Sequence, residues 1–441
     1  MQQSAPNNEQ NTPSVWYRIQ LFLYNLMWTI LLPLLFLIFM VKWAFRRPDY
    51  SQRRLSRFAI FSQGLSRCDI LWHCVSVGEV TAVTPLIKAL LEQQHDLKIT
   101  ITTTTPTGAE QVQRSLGQQV QHCFLPYDHY GLMHRLVSKL RPQLLIVTEV
   151  EIWPSLLAIC SAKKIPSILV NARMTDRSAK RYAKLGQFLA HTLQQFNYIN
   201  AQSGDDQERY ITLGANATNT QNTGNIKFEI QSQRRQDPWV LKLADLAQER
   251  QAPIVVAGST HAPEEEIILA AHQRLKQTTS NLITCIVPRH PQRFNEVKEL
   301  LINKNIHFAS YSDGDIAPDA TVLLIDAMGV LHDLYAIADI AFVGGSFADR
   351  GGHNALEPAL YEVPVVMGPS QYNNPTITAH LATAGALKTV LNEQQLLAEI
   401  QHWLTTAAAR KQAGKQGLEV INANRGAVAA NLLLINQLLD R

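Results

Sequence analysis

A glycine-rich turn in the second half of the chain offers the most specific chemistry. The segment 341–358 reads Ala-Phe-Val-Gly-Gly-Ser-Phe-Ala-Asp-Arg-Gly-Gly-His-Asn-Ala-Leu-Glu-Pro, which predicts an apolar strand, a turn containing Gly345 and Ser346, and then a helix. Backbone N–H groups at such a helix start bind phosphates. Asn354 and Glu357 would share one helix face, from which a carboxylate can reach a ribose. The pattern predicts a nucleotide site, although glycine pairs can also serve only a tight connection.

A second candidate site follows the first apolar strand. The run His73-Cys-Val-Ser-Val-Gly-Glu-Val80 places Ser76, Gly78 and Glu79 in a strand-to-helix turn. A carboxylate in this position could act as a general base that removes a proton from a hydroxyl group. The alternative is that Glu79 only complements the positive end of the helix dipole.

Further polar side chains follow other strands of the first half, and Thr105, Glu149, Glu151 and Arg173 are candidate substrate contacts. Paired carboxylates can bind sugar hydroxyls or raise one another's pKa. An arginine can hold a carboxylate or phosphate with two parallel hydrogen bonds. The threonine run around Thr105 is also good strand material, and the charged side chains could simply be solvated.

In the second half, polar residues again follow apolar strands. Arg289 and His290 lie in a Pro-Arg-His-Pro run, and Met328 and Gly329 end an Asp-Ala-Met-Gly run. Arg289 and His290 could neutralise a leaving phosphate, which is the main electrostatic task when a sugar leaves a nucleotide. A lone Pro-Arg-His-Pro run is otherwise an ordinary turn.

Metal ligands and disulfides are not expected. Asp313-Gly-Asp315 has the form of a divalent-ion motif, but its composition favours a surface loop. The five cysteines are scattered without a paired spacing and predict buried free thiols.

From residue 70 onward, short β-rich runs alternate with amphipathic stretches, which predicts an α/β protein with parallel, doubly wound sheets. The expected strands of the first half are 70–77, 97–105, 144–150, 167–171 and 198–202. Those of the second half are 254–258, 282–287, 307–311, 322–325, 340–343 and 363–367.

The 441 residues exceed what one hydrophobic core usually serves. We therefore expect two Rossmann-like domains that face a ligand-binding cleft, with a polar linker at 227–250. The expected division is an N-terminal tail and anchor helix at 1–47, a first domain at 48–228 and a second at 229–441. The helices at the C-terminus could pack back on the first domain.

The stretch 19–41 contains no charged residue and is long enough to cross a bilayer. Basic residues cluster between Lys42 and Arg57 and account for the net charge of +4. The positive-inside tendency places the body at the cytoplasmic face of the inner membrane, where the cluster could meet anionic lipid. Because the stretch also contains polar residues, the alternative is a helix that lies in the membrane interface and does not span the bilayer. Positive charge confined to this region argues against nucleic-acid binding.

Several motifs occur in an order that resembles one family. They are Ser76-Val-Gly-Glu79, Leu125-Pro-Tyr-Asp128, Glu151-Ile-Trp-Pro154, Asn171-Ala-Arg173, Gly258-Ser-Thr-His261, Val287-Pro-Arg-His-Pro291, Gly344-Gly-Ser346, Gly351-Gly-His-Asn354 and Leu356-Glu-Pro358. With the N-terminal anchor, they resemble the Kdo transferases of lipopolysaccharide assembly over nearly the whole chain.

The resemblance implies a GT-B fold and the inverting transfer of 3-deoxy-D-manno-oct-2-ulosonic acid (Kdo) from CMP-Kdo to the 6′-hydroxyl of a tetraacylated lipid A precursor, lipid IVA. It implies no metal or other cofactor. Its implied residues are Glu79 as base, Arg289, Met328, Gly329, Asn354 and Glu357 toward CMP, and Arg173 toward the sugar acid or acceptor.

Two positions depart from the family pattern. Val330 stands where a glutamate is common, and Ala355 stands where a proline is usual. Two alternatives remain: another membrane-associated GT-B transferase that uses a UDP-sugar, and a non-catalytic nucleotide-sensing or lipid-binding scaffold.

Overall fold

The computed structural model describes residues 14–45, 52–61 and 64–440. Most of the expected N-terminal tail lies outside this range. So do Arg46 and Arg47 of the predicted basic cluster, together with the side chains of Arg53 and Arg54. The chain divides into two compact units: unit 1 comprises 1–229 and 425–441, and unit 2 comprises 230–424.

A parallel sheet of seven strands forms the centre of unit 1. The strands are β1 (Ile70–His73), β2 (Ile99–Thr103), β3 (Gln121–Phe124), β4 (Leu144–Thr148), β5 (Ser167–Ala172), β6 (Tyr198–Ala201) and β7 (Thr220–Asn222). Their order is β3-β2-β1-β4-β5-β6-β7. The order therefore reverses between β1 and β4, and such a switch point is where open α/β sheets bind ligands.

Helices cover both faces of this sheet. They are α2 (Val77–Gln93), α3 (Pro106–Leu116), α4 (Tyr130–Leu140), α5 (Pro154–Ala162), α6 (Asp176–Tyr182), α7 (Gly186–Leu193) and α8 (Gly204–Thr212), whereas α1 (Val15–Ala44) packs against α5 and α7. Alternate strand residues enter opposite apolar layers, with Leu71 and Leu145 on one side and Ile70 and Ile146 on the other. Burial on both faces explains why the central strand β4 is apolar from Leu144 to Val147.

Unit 2 also contains a parallel sheet of seven strands. They are β8 (Ile254–Thr260), β9 (Ile283–Pro288), β10 (Phe308–Ser310), β11 (Val322–Leu324), β12 (Ile340–Val343), β13 (Val365–Met367) and β14 (Leu387–Thr389). Their order is β10-β11-β9-β8-β12-β13-β14, so the switch point lies between β8 and β12.

The helices of unit 2 alternate with its strands. They are α9 (Pro238–Glu249), α10 (Glu264–Leu275), α11 (Phe294–Asn303), α12 (Leu331–Tyr335), α13 (Leu356–Ala359), α14 (Pro375–Thr383), α15 (Glu393–Thr405) and α16 (Ala407–Ala423). Short 3-10 turns lie at Gln52–Phe58, Gly117–Gln119, Ala183–Leu185, Ala217–Asn219, Ile226–Glu229, Pro291–Arg293 and Tyr311–Asp313.

The last helix, α17 (Ala427–Leu439), belongs to unit 1. Ala427 and Ile435 join the same apolar cluster as Ile70. The carboxylate of Glu229 accepts a hydrogen bond from the backbone N–H of Gly426 at 2.7 Å. The core of unit 1 is therefore completed by the C-terminal end of the chain.

Two sequence predictions differ from the structure. The predicted linker at 227–250 contains the boundary between the two units at 229/230, but its second half is not a linker, because Pro238–Glu249 forms α9 with Trp239 and Leu243 buried. Proline suits the first turn of a helix, where no intrahelical N–H bond is lost. The expected strands are all present, with the predicted ends at 340–343 and shifted ends elsewhere, but the edge strands β3, β7 and β14 were not predicted.

The predictions for the cysteines and for the Asp313-Gly-Asp315 segment are confirmed. All five cysteines are free and buried. Asp313 ends a short 3-10 turn, and the side chain of Asp315 is 97% exposed. This segment is therefore a surface loop.

Candidate active site

Glu79 lies at the switch point of the first sheet, in the first turn of α2. Its Oε2 accepts a hydrogen bond from the Val75 N–H at 2.7 Å, and its Oε1 accepts one from Ser76 Oγ at 3.2 Å. Glu79 is only 9% exposed. The carboxylate is thus held by its own turn, and Ser76, a predicted substrate contact, orients it.

The Val75 peptide that holds Glu79 is itself anchored. Its carbonyl accepts hydrogen bonds from Thr104 Oγ1 at 3.3 Å and from Thr105 Oγ1 at 3.2 Å. Thr105 also caps α3, because its hydroxyl accepts the N–H of Gly108 at 3.1 Å. Thr105 was predicted to contact a substrate, but its hydroxyl is engaged in supporting the turn that carries Glu79.

Three carboxylates influence one another at this edge of the sheet. Burial, opposed by the hydrogen bond from Val75 and aided by the charges of Glu149 and Glu151, raises the pKa of Glu79 to about 8. Burial also raises the pKa of Glu151 to about 7, with a contribution from Glu149. A carboxyl group whose pKa lies near the working pH is suited to general acid–base chemistry.

Glu149 follows β4 in a constrained conformation. Its φ of 61° is in the left-handed region, which non-glycine residues rarely adopt outside turns and functional sites. Its carbonyl accepts hydrogen bonds from the Tyr210 hydroxyl at 3.2 Å and from the Arg173 N–H at 3.4 Å. Its carboxylate lies 3.5 Å from Lys227 Nζ. The backbone of Arg173 is therefore bonded to Glu149, whose charge acts on Glu79.

Gly78 has open space above it. Among the described residues, a Cβ added at Gly78 would meet only Ser76 Oγ, at 3.8 Å. Packing within the protein therefore does not require glycine here, which leaves room for a ligand next to Glu79.

Three histidines form a cluster, here called the imidazole cluster, at the switch point of the second sheet. His261 follows β8, His290 follows β9, and His353 lies in the turn after β12. The rings of His261 and His353 stack with centroids 5.2 Å apart, and their Nε2 atoms are 2.9 Å apart. The ring of His290 meets that of His261 edge-on at 5.3 Å.

Burial and neighbouring positive charges keep the imidazole cluster neutral. The pKa of His261 is lowered to about 4 and that of His353 to about 3, chiefly by burial. Burial and the charge of Arg289 also lower the pKa of His290. A neutral imidazole can donate one N–H, so the cluster offers hydrogen bonds to an anion while Arg289 supplies charge.

Glu357 lies near Arg289, and both residues were predicted to contact the nucleotide. Burial raises the pKa of Glu357 to about 7, whereas the charge of Arg289 and a hydrogen bond from the side chain of Asn354 lower it. The Asn354 side chain also accepts the N–H of Leu356 at 3.2 Å. The structure thus brings Arg289, Asn354 and Glu357 to one edge of the sheet.

The glycine-rich turn itself differs from the prediction. The carboxylate of Glu264 accepts the N–H groups of Gly345, Ser346 and Phe347 at 2.8, 2.9 and 2.8 Å, together with that of His261 at 3.0 Å. The N–H groups of Gly345, Ser346 and Phe347 are therefore occupied by an internal anion.

Ser346 is also committed internally. It is fully buried, its hydroxyl donates to the Val343 carbonyl at 2.8 Å, and it accepts the Gly368 N–H at 2.8 Å. Gly345 has a φ of 72°, and a Cβ there would come within 3.0 Å of His353. Gly345 and Ser346 therefore shape the turn, and a nucleotide contact at either residue stays a prediction.

The helix after this turn begins later than predicted. It is α13, Leu356–Ala359, with only four residues, and Asn354 precedes it. The N–H groups of Gly352 and His353 bond to the carbonyls of Gly345 and Gly344. The predicted helix start at 351–354 is therefore wrong, because the helix begins at Leu356. Phosphate binding by this segment stays a prediction.

Met328 and Gly329 form an exposed turn after β11. Gly329 has a φ of 91°, and Met328 is 48% exposed. A Cβ at Gly329 would lie 3.2 Å from the guanidinium of Arg235. Sequence reasoning missed Arg235, because it is distant in sequence from the motif it covers.

Other site residues were also missed. His261 and His353 lie in two of the family motifs. The strand ends that precede them could have indicated that they lie at the site. Glu264 offered no such signal, since its partners lie about 80 positions away in the sequence.

Solved structures share this α/β architecture. A UDP-GlcNAc 2-epimerase from Neisseria meningitidis matches 83% of this chain and 99% of its own with a TM-score of 0.57 and 12% identity. A glycosyltransferase from Rickettsia africae matches 85% of this chain and 99% of its own with a TM-score of 0.53 and 12% identity. At this identity the likeness shows the fold alone, which is the predicted GT-B type.

The family is defined by sequence. The family model of 3-deoxy-D-manno-octulosonic-acid transferase (kdotransferase) matches residues 51–230. A 3-deoxy-D-manno-octulosonic acid transferase of Haemophilus influenzae is 37% identical over 428 residues, which cover 95% of this chain and 99% of that protein. The chain belongs to the Kdo transferase family and is a glycosyltransferase, as the sequence motifs indicated.

Proposed function

We propose that this enzyme transfers Kdo from CMP-Kdo to the 6′-hydroxyl of a tetraacylated lipid A precursor, with inversion at the anomeric carbon and with Glu79 as base. The observation that carries this proposal is the buried carboxylate of Glu79 at the switch point of unit 1, whose pKa is raised to about 8. Membership of the family supports Kdo as the sugar.

In the proposed step, Glu79 accepts the proton of the acceptor hydroxyl. The hydroxyl oxygen then forms a bond to the anomeric carbon of Kdo. The bond from that carbon to the CMP phosphate oxygen breaks, and its electron pair leaves with CMP. The hydrogen bonds from Val75 and Ser76 hold the carboxylate in position before the substrates arrive, so little reorganisation is needed.

Residues of unit 2 would hold the donor. Arg289 and His290 would meet the phosphate, Glu357 and Asn354 the ribose, and Met328 with Gly329 the rest of CMP. Arg289 and the N–H groups of the imidazole cluster would stabilise the charge of the leaving phosphate. The proposed step therefore uses no divalent ion or other cofactor.

Residues of unit 1 would hold the acceptor and the sugar acid. Glu149 and Glu151 could bind hydroxyl groups, and Arg173 could pair with a carboxylate or phosphate. The open space at Gly78 would admit the reacting hydroxyl next to Glu79.

The acceptor is a lipid, which suggests a place for the apolar helix α1. Its length and composition suffice for a membrane crossing. We place the enzyme at the cytoplasmic face of the inner membrane, held by α1 and the basic residues of 42–57.

The test is a product assay with the full-length protein, CMP-Kdo and detergent-dispersed tetraacyl disaccharide bisphosphate in EDTA. Mass spectrometry should show acceptor mass increasing by whole Kdo units, which also counts the transfers. Parallel reactions with UDP-sugars and with added magnesium are the controls. Product formed from a UDP-sugar but not from CMP-Kdo would contradict the proposed donor. Product formed only when magnesium is added would contradict the metal-independent step.

A further inference from the structure

Helix α1 is docked on unit 1 along most of its length. Its less exposed residues recur every three or four positions, from Tyr17 through Tyr24 and Trp28 to Phe39. The ring pairs are Tyr17 with Phe188, Trp28 with Tyr127, and Phe39 with Phe58, with centroids 5.7, 5.6 and 5.6 Å apart. One continuous helix face therefore packs on the protein.

Polar bonds reinforce this docking in the middle of α1. The Tyr24 hydroxyl donates to Asp128 Oδ2 at 3.0 Å, and Asn25 Oδ1 accepts the Tyr130 N–H at 2.6 Å. Thr29 Oγ1 lies 3.2 Å from His129 Nε2. These partners lie in the loop before α4 and at its N-terminus.

The opposite face of α1 is apolar and exposed. Trp16, Leu23, Ile30 and Leu37, spaced by sevens and therefore on one face, are 71%, 55%, 69% and 60% exposed. The charged residues of α1 are both basic: Arg18 near its start and Lys42 near its end. An apolar face with basic ends suits an anionic membrane surface.

We propose that α1 lies flat in the membrane interface, with its docked face on unit 1 and its apolar face among the lipid acyl chains. The docked stretch from Tyr17 to Phe39 is about 33 Å long at the rise of an α-helix, which matches the roughly 30 Å thickness of the hydrocarbon core. A perpendicular crossing would carry Asp128 and the start of α4 into hydrocarbon, where polar and ionised groups are costly. This proposal rests on the membrane location proposed above.

A flat α1 has a consequence for the acceptor. Asp128 accepts the N–H groups of Ser155 and Leu156 at 2.9 and 3.1 Å. It thereby ties α1 to the start of α5, which follows Glu151 by three residues. The membrane surface would then lie beside the edge that carries Glu149, Glu151 and Glu79, where a lipid headgroup must be presented.

The test measures the depth of four positions in the membrane. Trp16, Leu23, Ile30 and Leu37 are each replaced by cysteine in the full-length protein and labelled with a fluorophore, because the native cysteines are all buried. The labelled proteins bind vesicles of phosphatidylethanolamine and phosphatidylglycerol that carry lipid quenchers at known depths. Gln118→Cys, on the exposed surface of unit 1, is the water-exposed control.

If α1 lies flat, the depths of the four labels in the membrane should agree within about 5 Å, the length of one helical turn. Deep labels at residues 23 and 30 with shallow labels at 16 and 37 would overturn the flat arrangement and leave membrane location intact. Absence of vesicle binding would overturn both proposals. If the lipid quenchers do not reach the labels because the protein self-associates, the apolar face of α1 contacts a second copy of the chain. This result would overturn the flat arrangement.

A second variant tests the docking itself. Asn25→Leu increases the hydropathy of α1 but removes the acceptor for the Tyr130 N–H. We expect vesicle binding to persist while transfer to acceptor in vesicles falls at least threefold. Unchanged transfer would contradict the role of docking in presenting the acceptor.

Discussion

At the scale of single residues, Glu79 combines two properties that a general base needs. Its oxygens are fixed by Val75 and Ser76, and its pKa of about 8 leaves it both ionisable and basic near neutrality. A fully exposed glutamate would be ionised but a much weaker base.

The pH dependence of kcat/KM reports the pKa of Glu79. Glu79 must be ionised to accept a proton, so kcat/KM for transfer should rise with pH, about tenfold per unit, and level off above about pH 8. Glu151→Gln removes a negative charge that raises the pKa of Glu79 and should move the rising limb to lower pH. Initial rates across a pH series measure both profiles.

Glu110→Gln is the matched control, since Glu110 is exposed on α3. Its profile should overlay that of the wild type. An unshifted limb in Glu151→Gln would contradict the contribution of the Glu151 charge to the raised pKa of Glu79 and leave burial as its main cause.

Sequence reasoning identified some site residues and missed others for a physical reason. Glu79, Arg289 and Glu357 follow strand ends, and the carboxyl ends of parallel strands share one edge. Gly345 and Ser346 were predicted to contact the nucleotide because they lie in a glycine-rich turn before a helix start, where anions bind. The N–H groups of both residues do hold an anion. The anion proved to be Glu264, a long-range partner that local sequence patterns do not reveal.

At the scale of elements, the carboxylate of Glu264 connects the start of α10 to the turn after β12. It is fully buried and accepts four backbone N–H groups. The same turn carries His353, so its shape determines the geometry of the imidazole cluster.

Removing this carboxylate should loosen the turn. We expect Glu264→Ala to destabilise unit 2 by about 3 kcal/mol or more, because each buried unsatisfied N–H costs about 1–3 kcal/mol. Hydrogen exchange at Gly345, Ser346 and Phe347 should accelerate, and the KM for CMP-Kdo should rise. Exchange monitored by mass spectrometry and donor titrations measure these effects.

Glu266→Ala is the control on the same helix. Its exposed side chain lies 3.4 Å from Lys304 Nζ, and exposed pairs of this kind contribute about 0–1 kcal/mol. Equal effects of the two substitutions would refute the role assigned to Glu264.

The central strands were predictable, whereas three of the four edge strands, β3, β7 and β14, were not. Buried strands such as β4 show an unbroken apolar run. β7 and β14 each have two exposed residues of three, so their composition lacks this signal. The C-terminal helices were predicted, but the return of α17 alone to unit 1 depends on long-range packing that periodicity does not encode.

At the scale of the whole molecule, unit 1 is built from both ends of the chain. Ile435 of α17 is completely buried beside residues of the first sheet, whereas Leu433 on the same helix is 64% exposed. The stability of the unit that carries Glu79 therefore depends on the last helix.

Ile435→Ala should destabilise unit 1 by about 2–5 kcal/mol, the usual cost of such a core truncation. Leu433→Ala should change stability by no more than about 0.5 kcal/mol. Hydrogen exchange resolved by peptide should show faster opening of β1 and β4 in the first variant, with β8 and β12 unaffected. Uniform acceleration in both units would contradict the assignment of α17 to unit 1 alone.

The most direct test of Glu79 as the general base is the rate of Kdo transfer by the Glu79→Gln variant at saturating substrate concentrations. The affinity of the variant for CMP is measured in parallel. The substitution keeps the size of the side chain and removes the proton acceptor. We expect kcat to fall by about 10²–10⁴-fold, the usual contribution of a general base, while the Kd for CMP stays within about twofold. A kcat within tenfold of the wild type would show that another group accepts the proton.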